Sequence, residues 1–338
     1  MSDFAVASPG RVCLVGDHCD WAGGFSLAAS IPLRVTATVR PRLDRLLVVE
    51  SRVSGGTIRG SYSFDEPGFS ADDPLRYAAA AVAALRDRGI VLKGTELRVS
   101  SDLPARRGLG SSAAFTLVTV KALARGAGVN LSPLELAEIA YEAEHDLLGI
   151  ACGRMDQAAA VHTRPVFLDF TGAAMRVEEI DLPIHIHLVL GDAGGAKDTV
   201  TILETLHQKR FSEAGSAGAA GAPRARGVAF AFDELFPELV RRGRDALLAG
   251  DRRALGESMT VSQAVYDEYL LPACDELSAP GMHRLLDICR HERALGQKWT
   301  GSGGEGSFVA LADTEAHQQK MVDALRAGGG SAIAVTLG

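Results

Sequence analysis

The stretch Gly108-Leu109-Gly110-Ser111-Ser112-Ala113-Ala114 narrows the possible folds more than any other part of this chain. It presents bare backbone amides and two hydroxyls just where an amphipathic helix, Phe115 to Ala124, is predicted to begin. The first N–H groups of a helix lack intrahelical partners, and the helix dipole favours negative charge there. A helix start lined by small residues is therefore a ready seat for phosphate oxygens, and here it points to a nucleotide. Two more segments stand out. One is Pro9-Gly10-Arg11-Val12 running into Gly16-Asp17-His18-Cys19-Asp20-Trp21, and the other is Thr300-Gly301-Ser302-Gly303-Gly304-Glu305-Gly306. Together the three read as a phosphate-cradling enzyme with a polyol pocket.

Periodicity places these segments on elements. Arg11 to Val15 and Phe25 to Ile31 read as strands flanking a polar turn, so Asp17, His18 and Asp20 fall on a loop. Residues 33 to 64 alternate apolar and polar side chains, which predicts a meander of antiparallel strands. Asp73 to Arg88 is helical in period, Thr95 to Ser100 returns to strand, and Ser112 to Gly126 is a helix. Ser132 with Glu135 forms a capping box opening a helix through Glu144. A second region begins near Ile180, with a strand over Ile184 to Leu190. Ala214 to Gly227 has the composition of a mobile surface loop, and helices follow over about 228 to 250, 252 to 273 and 279 to 295. Strand 308 to 311, helix 314 to 327 and strand 331 to 337 complete an α+β pattern.

Composition enters mainly by exclusion. A chain of 338 residues has room for two domains, and a formal charge of -7 argues against nucleic acid as a partner, since phosphate backbones are bound by clustered Lys and Arg. Five scattered cysteines without CxxC spacing suggest neither a disulfide framework nor a zinc site. No basic-then-apolar leader is visible, and the longest apolar run, Tyr77 to Leu85, is too short to span a bilayer. The expectation is a cytoplasmic protein without a membrane partner.

Gly301, Gly303 and Gly306 satisfy the dinucleotide pattern GxGxxG, but that fingerprint needs a strand before and a helix after. Here a helix is predicted before and a strand after, so the pattern is set aside. The P-loop ending and the His-Arg-Asp triplet of protein kinases are absent as well. On the first loop, Asp17, His18 and Asp20 offer several acceptors to sugar hydroxyls. The plainer alternative for that stretch is an Asx-turn with a solvated histidine.

In this order and at these separations, the three segments resemble the GHMP kinases. Within that family the resemblance is to galactokinases. Gly16-Asp17-His18-Cys19-Asp20-Trp21 is similar to their Gly-Glu-His-Thr-Asp-Tyr, and Ala143-Glu144-His145 with Cys152-Gly153-Arg154-Met155-Asp156-Gln157 is similar to their Ala-Glu-His and Cys-Gly-Ile-Met-Asp-Gln. The resemblance implies a two-domain α+β fold: an N-terminal ribosomal-protein-S5-domain-2-like domain over 1–180 and a C-terminal ferredoxin-like domain over 181–338, with the active site in the cleft between them. It implies an ATP-dependent kinase acting on the anomeric C1 hydroxyl of a monosaccharide, as a monomer or homodimer. Arg11 and Asp156 would be the catalytic pair, with Asp156 as base or charge anchor and Arg11 steadying it and the developing oxyanion. Asp17, His18 and Asp20 would bind the sugar. Gly108, Leu109, Gly110, Ser111, Ser112, Gly301, Gly303 and Gly304 would bind the nucleotide, and Ser112 and Glu144 would hold Mg²⁺. For Glu144 the alternative is an exposed helical face.

Several positions depart from the galactokinase pattern. Asp17 replaces a Glu, Trp21 a Tyr, Ser302 an Ala, and Glu305 stands where a Gly is usual. Unless Glu305 turns outward or pairs with Lys298, its charge should weaken ATP binding. The loop after Leu190 lacks an Asn-Ser sequence of the galactokinase type. Two other readings remain: a GHMP kinase acting on a non-anomeric alcohol, and a sugar sensor that binds without turnover.

Overall fold

A computed structural model of the chain describes residues 2–53, 56–104, 107–195, 197–215 and 227–338. The loop expected over Ala214 to Gly227 lies, at 216–226, outside the described residues. The strands are β1 (Phe4–Val15), β2 (Phe25–Pro41), β3 (Leu46–Val53), β4 (Gly56–Ser63), β5 (Thr95–Ser101), β6 (Val166–Asp169), β7 (Arg176–Glu179), β8 (Ile186–Asp192), β9 (Gly296–Thr300), β10 (Ser307–Ala312) and β11 (Ser331–Leu337). Contacts group the chain into two compact units: Met1–Arg11, Ser30–Ala105 and Gly110–Thr163 in the first, and Val12–Ala29, Arg106–Leu109 and Arg164–Gly338 in the second.

In the first unit β3 and β4 form an antiparallel hairpin, but the expected meander does not extend to β2. Instead β5 lies between them, antiparallel to Val35–Pro41 of β2 and parallel to β3. Alternation in 33–64 identifies half-buried strands but carries no record of which strand is the neighbour. β2 is also one continuous strand. Helix Arg76–Asp87 buries Ala78 through Leu85, and its small side chains let it lie close against helix Ser111–Ala127. Ser132 caps helix Pro133–Glu142 by the expected capping box, with Pro133 in the first turn. The helix continues as a π-helical turn, Ala143–Leu147, and Met155–Val161 forms a further short helix.

In the second unit, Phe25–Ala28 of β2 pairs with β6, and β6 with β7. A separate antiparallel sheet has the order β11-β8-β10-β9. The helix expected over 279–295 ends at His291, and β9 follows it. Every residue of β9 is buried, and its alternation is masked because Gln297 and Lys298 lie inside as well, Lys298 on polar partners. The glycine-rich segment 301–306 is therefore a hairpin connection from β9 to β10, with Ser307 paired to Thr300. A strand does precede it, but so does one follow it, and the dinucleotide fingerprint still fails.

Candidate active site

In the first unit the site grows from Gly110. Its φ of 72° places it in the left-handed region as the N-cap of helix Ser111–Ala127. A Cβ there would stand 3.1 Å from Arg11 Cγ and 3.6 Å from Asp156 Oδ2, so glycine satisfies both the backbone and the space. Arg11 grips Asp156 with two parallel bonds, Nε to Oδ1 at 2.6 Å and Nη2 to Oδ2 at 2.7 Å. The arginine side chain is 5% exposed and the aspartate 26%, so the pair is anchored on one side and reachable on the other. The two residues expected as a pair from opposite ends of this unit do meet.

Glu144 is buried on the π-helical turn, not displayed on an exposed face. Burial pushes its carboxyl up to about 7; the Gln157 hydrogen bond opposes this and the nearby Asp156 charge adds to it. Gln157 Nε2 donates to Glu144 Oε1 at 3.2 Å, and Ser112 and Thr116 also hydrogen-bond the carboxyl. Gln157 Oε1 is buried without a partner. A hard divalent cation fits this donor set, since it would relieve both the desolvated carboxylate and the oxygen-rich surroundings. Among the described residues no group of three or more His, Cys, Asp or Glu side chains is arranged for a metal, so Glu144 and the Ser112 hydroxyl are the protein's candidate share.

The second unit holds the first loop. Asp17 is fully buried: Lys298 Nζ binds one of its oxygens, and the Gly301 N–H donates to the other at 2.6 Å. Cys13 N–H, at the end of β1, donates to Thr300 Oγ1 at 3.0 Å, so the loop and the strand before it are joined to the β9 end at three points. His18 has φ 66° and is likewise buried. Trp21 Nε1 donates to its Nδ1 at 3.2 Å, which assigns the ring proton to Nε2, 3.3 Å from Ser302 O. Burial, with smaller pushes from Lys197 and Lys298 against the pull of Asp17, lowers its pKa to about 4, so the ring is neutral at pH 7. Asp20 stays half-buried in the short helix Cys19–Ala22, its Oδ1 accepting the Trp21 N–H at 3.1 Å. The substitution to tryptophan thus supplies the donor that orients His18.

The glycine-rich segments of this unit touch one another. Gly108, at φ 76°, leaves no room for a side chain, since a Cβ would be 2.6 Å from Thr300 O. A Cβ on Gly301 would be 2.8 Å from Gly108 Cα. Gly303 and Gly304 belong to the same connection, where Tyr266 Oη accepts the Gly304 N–H at 3.3 Å. Glu305 neither faces the glycine backbone nor pairs with Lys298, which is taken by Asp17. Its carboxylate accepts the N–H groups of Gly281 at 2.7 Å and Met282 at 3.2 Å, capping helix Pro280–His291 where the dipole favours an anion. Lys197, which sequence reasoning passed over, donates to Ser302 Oγ at 2.8 Å. Its only sequence signal was the hydroxyl at position 302.

Comparison with known proteins bears on the family and the fold. Residues 76–164 match the GHMP kinases N terminal domain, 244–331 the GHMP kinases C terminal domain, and 1–41 the galactokinase galactose-binding signature, together more than half of the chain. The galactokinase of Pyrococcus furiosus is 27% identical across 93% of this chain and 90% of its own. The Lactococcus lactis galactokinase complexed with galactose superposes with a TM-score of 0.80 at 20% identity, covering 100% of this chain and 94% of that one. The Methanococcus jannaschii mevalonate kinase superposes with a TM-score of 0.77 at 18% identity over 100% and 99% of the two chains. The α+β architecture is thus common to kinases of different alcohols, so the fold alone does not choose the substrate.

Proposed function

We propose that this chain, which belongs to the GHMP kinase superfamily, is an ATP-dependent sugar kinase that transfers the γ-phosphoryl group to the anomeric C1 hydroxyl of a monosaccharide, galactose or a close relative. The observation that carries this reading is the two-pronged Arg11–Asp156 pair placed against Gly110 at the start of the phosphate-loop helix. A carboxylate so held can accept a hydroxyl proton without moving, while the guanidinium balances charge on the carboxylate and on the oxygen under attack.

Residues 108–112 offer backbone N–H groups and the Ser111 and Ser112 hydroxyls to the phosphates, and Gly301, Gly303 and Gly304 add bare backbone. In the transfer, the bond from the γ-phosphorus to its bridging oxygen breaks, a bond to the sugar O1 forms, and the O1 proton passes to Asp156; ADP and a sugar 1-phosphate leave. Glu144 and Ser112 would hold Mg²⁺, which when bound supplies charge neutralisation at the phosphate oxygens. Of the first-loop residues, Asp20 is the one with a reachable carboxylate and takes sugar hydroxyls directly, while Asp17 and His18 fix the loop from beneath. Among the described residues no helix is long and apolar enough to cross a membrane. The need for ATP, with five scattered cysteines and no CxxC spacing, fits a reducing cytoplasm.

A panel of reducing sugars assayed for ATP consumption, with 1-O-methyl glycosides as controls, tests the assignment. Turnover of one or a few hexoses and none of their 1-O-methyl derivatives is expected. Equal turnover of a methyl glycoside would move the reaction away from C1.

A further inference from the structure

Gln157 is a buried side chain that the first unit leaves half satisfied. It stands one position after Asp156 on the short helix Met155–Val161, is 1% exposed, and is followed by the buried alanines 158 to 160, which offer it no polar side chain. Its Nε2 donates to Glu144 Oε1 at 3.2 Å, whereas its Oε1 is buried with no partner among the described residues. Turning the amide over would lose the N–H bond and set the carbonyl oxygen against a carboxylate. A buried acceptor left bare costs about 1 to 3 kcal/mol, and native interiors seldom keep one that no ligand or water meets. Amide nitrogen and oxygen share one carbon, so the bare oxygen lies beside the carboxylate that the nitrogen holds, and Ser112 and Thr116 hydrogen-bond that same carboxyl. Ser112, Glu144 and Gln157 therefore gather oxygens at one buried place beside the start of helix Ser111–Ala127.

We propose that Gln157 is a third protein ligand of the divalent cation, its N–H aiming Glu144 and its carbonyl oxygen taking a position on the ion. This rests on the reading of Glu144 and Ser112 as the protein's share of the Mg²⁺ site. Hard cations take neutral carbonyl oxygens as well as carboxylates, and the amide supplies one without adding charge. That matters here because Asp156 already raises the negative charge around Glu144, and a further carboxylate at 157 would set like charges against one another whenever the ion is away. No proton or phosphoryl group passes through Gln157. It acts by fixing the carboxylate and completing the oxygen set around the ion.

The test uses the full-length protein with saturating ADP and Mn²⁺ as the probe ion. Electron paramagnetic resonance of free Mn²⁺ gives the affinity, and solvent-proton relaxation counts the waters on the bound ion. Gln157→Leu should weaken Mn²⁺ binding about 10- to 100-fold, and the bound ion should carry an additional water. Gln157→Glu should bind Mn²⁺ at least as tightly as the parent, and its melting temperature should rise far more when Mn²⁺ is added. If Gln157→Leu fails to fold, as thermal melting would show, Gln157→Met takes its place, keeping the length and removing both polar atoms. Mn²⁺ affinity and water count equal to those of the parent in either variant would overturn the proposal. So would a loss of affinity with the water count unchanged, which is what a purely structural glutamine would give. Glu144→Gln separates this failure from that of the reading beneath it. If Glu144→Gln loses Mn²⁺ while Gln157→Leu keeps it, Gln157 is no ligand and the cation site stands. If Glu144→Gln binds Mn²⁺ like the parent, the site reading falls and the glutamine's role with it.

Discussion

In each unit an aspartate of the candidate site is locked to a cation, and the two pairs are built to opposite ends. Asp156 meets Arg11 with a quarter of its side chain still exposed, whereas Asp17 and Lys298 are at 0%. Arg11 binds through two nitrogens along one edge of the carboxylate, which leaves outward lone pairs for a hydroxyl. Asp17 gives one oxygen to Lys298 and the other to the Gly301 N–H and is closed off from solvent, so no ligand reaches its remaining lone pairs. An aspartate paired with a cation thus makes a chemical group in one place and a rivet in the other. Accessible lone pairs, and not the presence of an ion pair, decide which.

Substitutions that remove one charge without changing shape sharpen this contrast. Asp156→Asn should lower kcat by at least about 1,000-fold while ATP affinity stays near that of the parent. Retained turnover would take Asp156 out of the mechanism. Lys298→Met should do the reverse in kind, costing about 3 to 5 kcal/mol of stability in urea denaturation because it strands a buried carboxylate. The double change Asp17→Asn, Lys298→Met should regain part of that loss. Full stability in Lys298→Met would mean that the pair is no rivet. A smaller effect comes from His18, whose folded pKa of about 4 lies below its ordinary 6.5. Above pH 6.5 both folded and unfolded forms are neutral and stability is whole; as pH falls toward 4 only the unfolded chain takes the proton, and stability drains away. The shift corresponds to about 3 kcal/mol over that window, about 2 of it by pH 5. His18→Asn, which tolerates the left-handed backbone, should lack this share of the acid slope, and an identical slope in both proteins would contradict the assignment.

Part of the candidate site was legible from local signatures. A glycine that opens a helix and an arginine among apolar neighbours each announce their setting within a few residues, and Gly110 and Arg11 stand in those settings, while Ser112, Glu144 and Asp156 were picked out by the galactokinase resemblance and not by their neighbours. The rivet was not legible. Asp17 and Lys298 are separated by 281 positions, and in sequence Lys298 has a nearer acidic candidate in Glu305, which the fold spends on a helix start instead. β5 slipped between β2 and β3 for the same reason, since alternation reports faces and is silent on neighbours. β9 carries no strand signal of its own because Gln297 and Lys298 are buried along with their apolar neighbours, which erases the alternation that marks a strand.

The split numbering of the second unit has a consequence for how the protein is made. A nascent chain that has reached Thr163 already contains every residue of the first unit, but of the second only Val12–Ala29 and Arg106–Leu109. Asp17 must then wait for Lys298 and Gly301, which emerge near the end of synthesis. Until translation is almost complete, that carboxylate has to stay in water, and the strand end that bears it cannot settle. The last forty or so residues act as a closing key, so premature termination there should leave a product for proteases, however well its front half folds.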